Sequence, residues 1–386
     1  MTNPDSEIRY PFSARLAFVL ICLVIIVYGM YILQGILTLL AFSVLIAMLL
    51  YPLCKRLERW RVPRVWAIFV CLIVLIGVLA GLIWLTSRQM TNFVDDFPKF
   101  QEKMTVILNR LQALAEERLG IERGQQLAQL RKYTESLLAS GATWAAVVLS
   151  ATGTLLGNLS LIPLYVFFIL LYRDFFKQFL YKLFAKVRRP KLDEILGKIY
   201  TVVQGYLVGL ILVIGIVAAL NTTGLLILGI DYAPFFGILA AVLLLIPYIG
   251  ILIGSILPML YALVTKDSSV YALGVAGVFG FVQVLEGNFI TPYIVGSKVS
   301  INPLAAIVGF IVFGQLWGIS GLVLALPVIA ILKVVFDNVE GMKPFGFLLG
   351  EPAETRPREN PAIRRVREQM QRFERRVKRK MEEPVE

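Results

Sequence analysis

One carboxylate stands deep inside an uncharged stretch: Glu286, in FVQVLEGNFITPYIVG, with Gln283 and Asn288 beside it. An ionisable group at the centre of a membrane helix costs roughly 2.5 to 3.5 kcal/mol on insertion scales, and it usually faces a partner, a cavity or a proton path. Gln283 and Asn288 can hydrogen-bond a polar solute or a protonated carboxyl, and a change of protonation at Glu286 would couple solute movement to a proton gradient. The competing reading makes Glu286 an interfacial anchor, at the outer boundary of a tilted or broken segment. Both readings stay open at this level.

The remaining candidates act through the backbone. Pro292, Gly296 and Pro303 follow Glu286, and Gly314, Gln315, Gly318 and Gly321 lie in FGQLWGISGLVLALP. Interrupted helices expose donors and acceptors, which in transporters build solute sites near mid-membrane. Glycines spaced by four serve close helix packing equally well. Pro163, Pro247 and Pro327, in LIP, LIP and ALP, are candidate helix kinks.

Catalysis finds little support. There is no histidine among the 386 residues, which removes the commonest general base and transition-metal ligand. No phosphate-cradling loop, metal-ligand cluster or intramembrane Asp pair is legible, so no enzyme activity, cofactor or metal is expected. Cys22, Cys54 and Cys71 fall in or beside apolar runs and read as small buried side chains, with no disulfide implied.

The elements that position these residues must be membrane helices. With 58% hydrophobic and 17% charged residues, and a mean hydropathy of +0.76, the chain is too apolar for a water-soluble domain. Its long uncharged runs and the absence of short dyad alternation give an all-α polytopic membrane protein. The net charge of +12 comes from Lys and Arg beside apolar runs, the pattern of cytoplasmic flanks rather than of a nucleic-acid surface. The polar head Met1 to Tyr10 precedes a run too long for a signal-peptide core, which reads as an uncleaved anchor.

Along the chain, residues 1–87 are expected to hold three spans. Leu16 to Cys54 forms two of them as a hairpin turning near Gly29 to Gly35, and Val65 to Ser87 the third. Residues 88–135 form a helical extracytoplasmic insert, in which Phe93, Phe97, Phe100, Met104, Ile107, Leu111 and Leu114 make an apolar seam for a helical hairpin or a contact between protomers. Residues 136–340 form a five-helix region with the translocation site. Its spans are Ser136 to Tyr172, Ile199 to Ile230, Tyr232 to Thr265, Ser268 to Ser297 and Val299 to Leu332. Residues 341–386 form a basic cytoplasmic tail, with Ile363, Val366, Met370, Phe373 and Val377 on one face of an amphipathic helix suited to anionic lipid or to other tails. That makes about eight transmembrane helices, with both termini in the cytoplasm.

The stretches LLLIPYIGILIGSILPMLYAL, QVLEGNFITPYIVGSKVSINPL and GFIVFGQLWGISGLVLALPVIAILK, together with PLYVFFILLYRDF, resemble the autoinducer-2 exporter family. The resemblance covers nearly the whole chain and is most specific in the C-terminal third. One departure is GQLWG, where Gln315 stands in place of a family glycine and no acid follows. The resemblance implies a transporter of the bacterial inner membrane exporting a small polar solute or signalling metabolite, with protons or sodium ions as coupling partners. It also implies a homo-oligomer, a pentamer by analogy. Monovalent cation/proton antiport and a non-transporting membrane scaffold are the alternatives.

Overall fold

The computed structural model describes residues 11–85, 102–103, 105–106, 161–247, 249–266, 268–296 and 300–351. The insert's apolar seam, the segment 136–160 and the amphipathic tail helix lie outside these residues. The described residues form helices and turns, with no strand among them. In order the helices are α1 (Phe12–Ile32), α2 (Gln34–Arg59), α3 (Arg64–Leu85), α4 (Leu161–Leu171), α5 (Arg173–Leu183), α6 (Arg189–Ile227), α7 (Ala233–Leu243), α8 (Ile249–Thr265), α9 (Val270–Leu285), α10 (Pro303–Asn338) and α11 (Lys343–Leu349). α9 runs on as two π turns, Glu286–Ile290 and Pro292–Gly296. Among the described residues six helical stretches are long and apolar enough to cross a membrane. Their outer faces leave Leu, Ile, Val and Phe side chains exposed, as lipid-facing surface requires. The chain is an all-α, multi-pass membrane protein.

The expected hairpin between the first two spans does not form. Only Leu33 interrupts the helix, and helical bonds cross it, from Leu33 N–H to the Gly29 carbonyl (2.9 Å) and from Leu37 N–H to the Leu33 carbonyl (2.9 Å). α2 therefore continues α1 rather than folding back on it. Gly29 and Gly35 lie inside helices with open space around them, so their spacing marks no turn. α2, α3 and α4 then pack as a unit around Ala47, Leu50, Cys54, Ile68, Cys71 and Val166. Cys54 and Cys71 are buried there, whereas Cys22, also expected inside, is exposed on α1.

α6 is the central column, 39 residues long and so about 58 Å at 1.5 Å per residue. Its first turns project beyond a hydrocarbon core of about 30 Å and carry the charged pairs Lys191–Glu194 and Lys198–Glu194. Its far half packs against α7, α8 and α9 around Leu225, Phe236, Tyr261, Val275 and Phe279. α9 runs antiparallel to it, with Gly274 against Leu228, Gly224 against Val278, and Gly209 against Val295.

Two segments expected to cross once instead reverse direction. In Tyr232 to Thr265 the helix stops after Leu243, turns through Pro247, and returns as α8. A Cβ on Gly250 would lie 1.8 Å from the Leu243 carbonyl oxygen, and one on Gly254 would lie 2.8 Å from Ala240 Cβ. These pairs advance in opposite directions along the chain, which defines an antiparallel hairpin. The 36 residues of α10 behave likewise about Gly318, whose φ of 60° and ψ of −138° suit a residue without a Cβ. Gly309 meets Ile329, Gly314 meets Leu322, and Gly321 meets the Phe313 carbonyl, where a Cβ would lie 1.8 Å away. Absence of side chains at Gly250 and Gly321 is what lets the arms touch backbone to backbone.

Candidate functional site

Glu286 opens the first π turn. Pro292 has no N–H for the α-type bond to the Asn288 carbonyl, and the helix widens just before it, with Thr291 N–H bonding the Glu286 carbonyl five residues back. In an α-helix residues five apart are rotated by about 140°, on different faces. The wider turn puts Thr291 beside Glu286. Its Oγ1 donates to Glu286 Oε1, and Gln283 Nε2 donates to Oε2 at 2.9 Å. Both carboxyl oxygens thus have a donor from the same helix, and Glu286 is 8% exposed.

The surroundings follow from helical spacing. Val282 and Ile290, four residues to either side, pack with Val213 and Val217 of α6 and Ala241 of α7. Glu286 shares their face and is turned towards the column. Asn288 points elsewhere: its Nδ2 bonds the Val284 carbonyl at 3.0 Å, and it lines an open, mostly apolar groove with Ile216, Phe289, Pro292 and Tyr293. Of the two amides expected around the acid, Gln283 is its partner and Asn288 is not.

The backbone candidates separate into groups. Pro292 and Gly296 bound the second π turn, which rests on α6 where Gly209 leaves room for Ile294 and Val295. Pro303 occupies the first turn of α10, capped by Asn302, whose Oδ1 accepts from Ala305 N–H at 2.8 Å. Asn302 also donates to the carbonyls of Leu348 (2.6 Å) and Gly350 (3.1 Å), tying α10 to α11. Gly314, Gln315, Gly318 and Gly321 form the tip of the α10 hairpin. Pro247 stands in the α7–α8 reversal rather than at a bend inside a helix. Pro163 lies in the first described turn of α4, and Pro327 is buried in the returning arm of α10. Lys343 to Leu349, at the start of the expected tail, fold back on α10, with Gly346 against Asp337.

The π segment and the α7–α8 reversal meet the column over one stretch. The π segment packs near Gly209, Val213 and Val217, and the α7–α8 reversal joins it there through Leu244. Trp317, at the α10 tip, packs against the cluster built on Leu45, Val203 and Leu324. Trp317 Nε1 also donates to the Met30 carbonyl at 3.0 Å, at the joint between α1 and α2. Tyr200, stacked edge-on against Tyr51, marks the basic end of the column, and Ile227 is its other end. Residues 207–217 lie midway between them. A helix reversal and a π-distorted segment carrying a buried acid therefore meet along the same part of the column, the kind of irregular backbone tolerated in a membrane when it is enclosed by protein or lines a pathway.

Sequence reading missed Thr291, Asn302, Trp317 and Asn221. Asn221, in α6, is 3% exposed and its Oδ1 has no hydrogen-bond partner among the described residues. It also missed the polar clamp at the basic end, where Arg173 pairs with Glu58 (2.6 Å) and Arg64 with Asp174 (2.7 Å). No group of three or more His, Cys, Asp or Glu side chains that could hold a metal occurs among the described residues.

Residues 20–341 match the model of the family described as AI-2E family transporter. The chain is similar to "AI-2 transport protein TqsA" of Escherichia coli, at 26% identity over 87% of this chain and 96% of that protein. It is also similar to "Putative transport protein YueF" of Bacillus subtilis, at 27% identity over 77% of this chain and 84% of that protein.

Proposed function

This chain belongs to the AI-2E transporter family and is a multi-pass membrane transporter, and we propose that it exports a small polar solute of the autoinducer-2 kind across the bacterial inner membrane, coupled to proton movement at Glu286. The observation that carries the coupling is the enclosure of Glu286 within a π turn at mid-column, with Gln283 and Thr291 as donors. An acid held by two neutral side chains, in no ion pair among the described residues, can take up and release a proton without breaking one. Helix interruptions like the adjoining reversals commonly build the solute site in transporters.

The basic flanks support an orientation with both termini in the cytoplasm, and the family resemblance supports a homo-oligomer, a pentamer by analogy. Glu286→Gln keeps shape and hydrogen-bonding capacity while removing titration. In proteoliposomes it should insert and assemble normally and lose pH-dependent flux. An unaltered rate and pH profile would reduce Glu286 to an anchor. If flux instead follows a sodium gradient at fixed pH, the carboxylate with Thr291 Oγ1 and Gln283 Oε1 serves a cation, and antiport replaces solute export as the reading.

A further inference from the structure

A short helix at the basic end of the bundle carries an apolar face that no described residue covers. α5 follows α4 after Tyr172 alone, and helical bonds run through the joint, from Tyr172 N–H to the Phe168 carbonyl (2.8 Å) and from Phe176 N–H to the Tyr172 carbonyl (3.0 Å). At about 100° per residue, Phe175, Phe176, Phe179 and Leu183 share one arc, while Arg173, Lys177 and Tyr181 share the opposite one. The polar arc is tied down. Arg173 pairs with Glu58 at 2.6 Å, Lys177 with Asp193 at 2.8 Å, and the Tyr181 hydroxyl donates to Asp193. Those bonds fix the rotation of α5, so its apolar arc points away from the protein, with Phe175 65% and Leu183 60% exposed.

Position supplies the rest. Phe175, Phe176 and Phe179 lie within roughly 5 to 10 Å of Tyr172 along the helix axis, about the depth of the headgroup region beside the hydrocarbon core. Just beyond are Lys182, Lys186 and Arg188, all exposed and none in an ion pair among the described residues. We infer that this surface holds an anionic phospholipid of the adjoining leaflet, its glycerol and upper acyl chains on the Phe arc and its phosphate on Lys182, Lys186 and Arg188. Charge decides the occupant. A zwitterionic lipid would cover the Phe arc but leave the cations poorly compensated. The chain's own tail carries Arg364, Arg365, Arg367, Arg372, Arg375 and Arg376, like charges that α5 would repel.

The test uses the full-length protein in phosphatidylcholine vesicles, with Phe179→Trp as reporter and its fluorescence read as the difference from the parent. A cation near an anionic surface contributes roughly fivefold in association. Brominated phosphatidylglycerol should therefore quench the reporter with an apparent preference of about fivefold or more over brominated phosphatidylcholine. Combined Lys182→Gln, Lys186→Gln and Arg188→Gln should bring that preference to one, without loss of fold because all three side chains are exposed. Millimolar inorganic phosphate should not compete; if it does, the site takes a free anion and the lipid assignment fails. Equal quenching by the two lipids overturns it. So does absence of quenching together with a drop in native mass when Phe175 and Phe179 become Ser, which assigns the face to a second copy of the chain.

Discussion

Gly321→Ala should open the α10 hairpin, and the size of the effect can be worked from the backbone. The added Cβ would fall 1.8 Å from the Phe313 carbonyl oxygen and 3.1 Å from Trp317 Cβ, in a place where no flexible side chain can yield. Ordinary van der Waals contact needs about 3.4 Å, so the arms must separate by more than an ångström. Overpacking of this kind typically costs about 1 to 3 kcal/mol, a shift of roughly 5- to 150-fold against the closed hairpin. Gly314→Ala meets only Leu322 Cδ2 at 3.0 Å, a side-chain end that can move, and Gly280→Ala meets nothing within 4 Å. The predicted order of damage is Gly321, then Gly314, then Gly280. The assay is a cross-link between Gly309→Cys and Ile329→Cys in a background without the native cysteines. A straight helix would hold these positions about 30 Å apart, whereas the hairpin places them in contact. Oxidation should cross-link the pair rapidly, with Gly321→Ala slowing the reaction and Gly280→Ala leaving it alone. Failure to cross-link in the otherwise native chain would refute the reversal at Gly318.

Other perturbations test the supports around the site. Arg173→Ala leaves the half-buried Glu58 carboxylate without its partner, with Oε1 already unbonded, and should destabilise the α2–α3–α4 unit by a sizeable part of the roughly 3 to 5 kcal/mol known for broken buried pairs. Adding Glu58→Gln should restore much of the thermal midpoint, and no restoration would show that Arg173 acts otherwise. Asn302→Ala removes a helix cap of about 1 kcal/mol together with the bonds to α11, so hydrogen exchange should rise at both the start of α10 and Lys343 to Leu349; a change at only one would break the proposed link. The hydrogen bond to Asp193, aided by Tyr181, raises the Lys177 amine above its ordinary value. Its contribution is complete below the unfolded lysine value of about 10.4 and is lost only as pH rises through the higher folded value. Exchange at α5 should therefore be flat, after correction for intrinsic rates, from about pH 6 to 9, and a loosening within that range would contradict the pairing.

Much of the architecture was legible because burial in lipid leaves few choices: uncharged runs must be helices, and Arg64, Arg173 and Lys333 mark where those runs end, though the helices at Arg173 and Lys333 continue past them. What stayed hidden depends on contacts between residues distant in sequence. Gly318 and Gly321 read as interruptions, but only the pairing of Gly309 with Ile329 reveals a reversal. In the other direction, Gly29 and Gly35 looked like a turn and are helical, since a glycine permits a turn without requiring one. At the acid, Gln283 was legible from three-residue helical spacing. Thr291 was not, because its approach to Glu286 depends on the π turn. Asn288, two residues on and so about 200° round even a regular helix, faces the groove rather than the carboxyl.

The most direct test of transport coupled at Glu286 is solute efflux from proteoliposomes containing the purified chain, loaded with the autoinducer-2 signal and followed across an imposed pH gradient. The native protein should release solute faster than empty vesicles and respond to the gradient, while Glu286→Gln should lose that response. Release no faster than from empty vesicles would contradict export, and release indifferent to pH in both proteins would contradict the role assigned to Glu286.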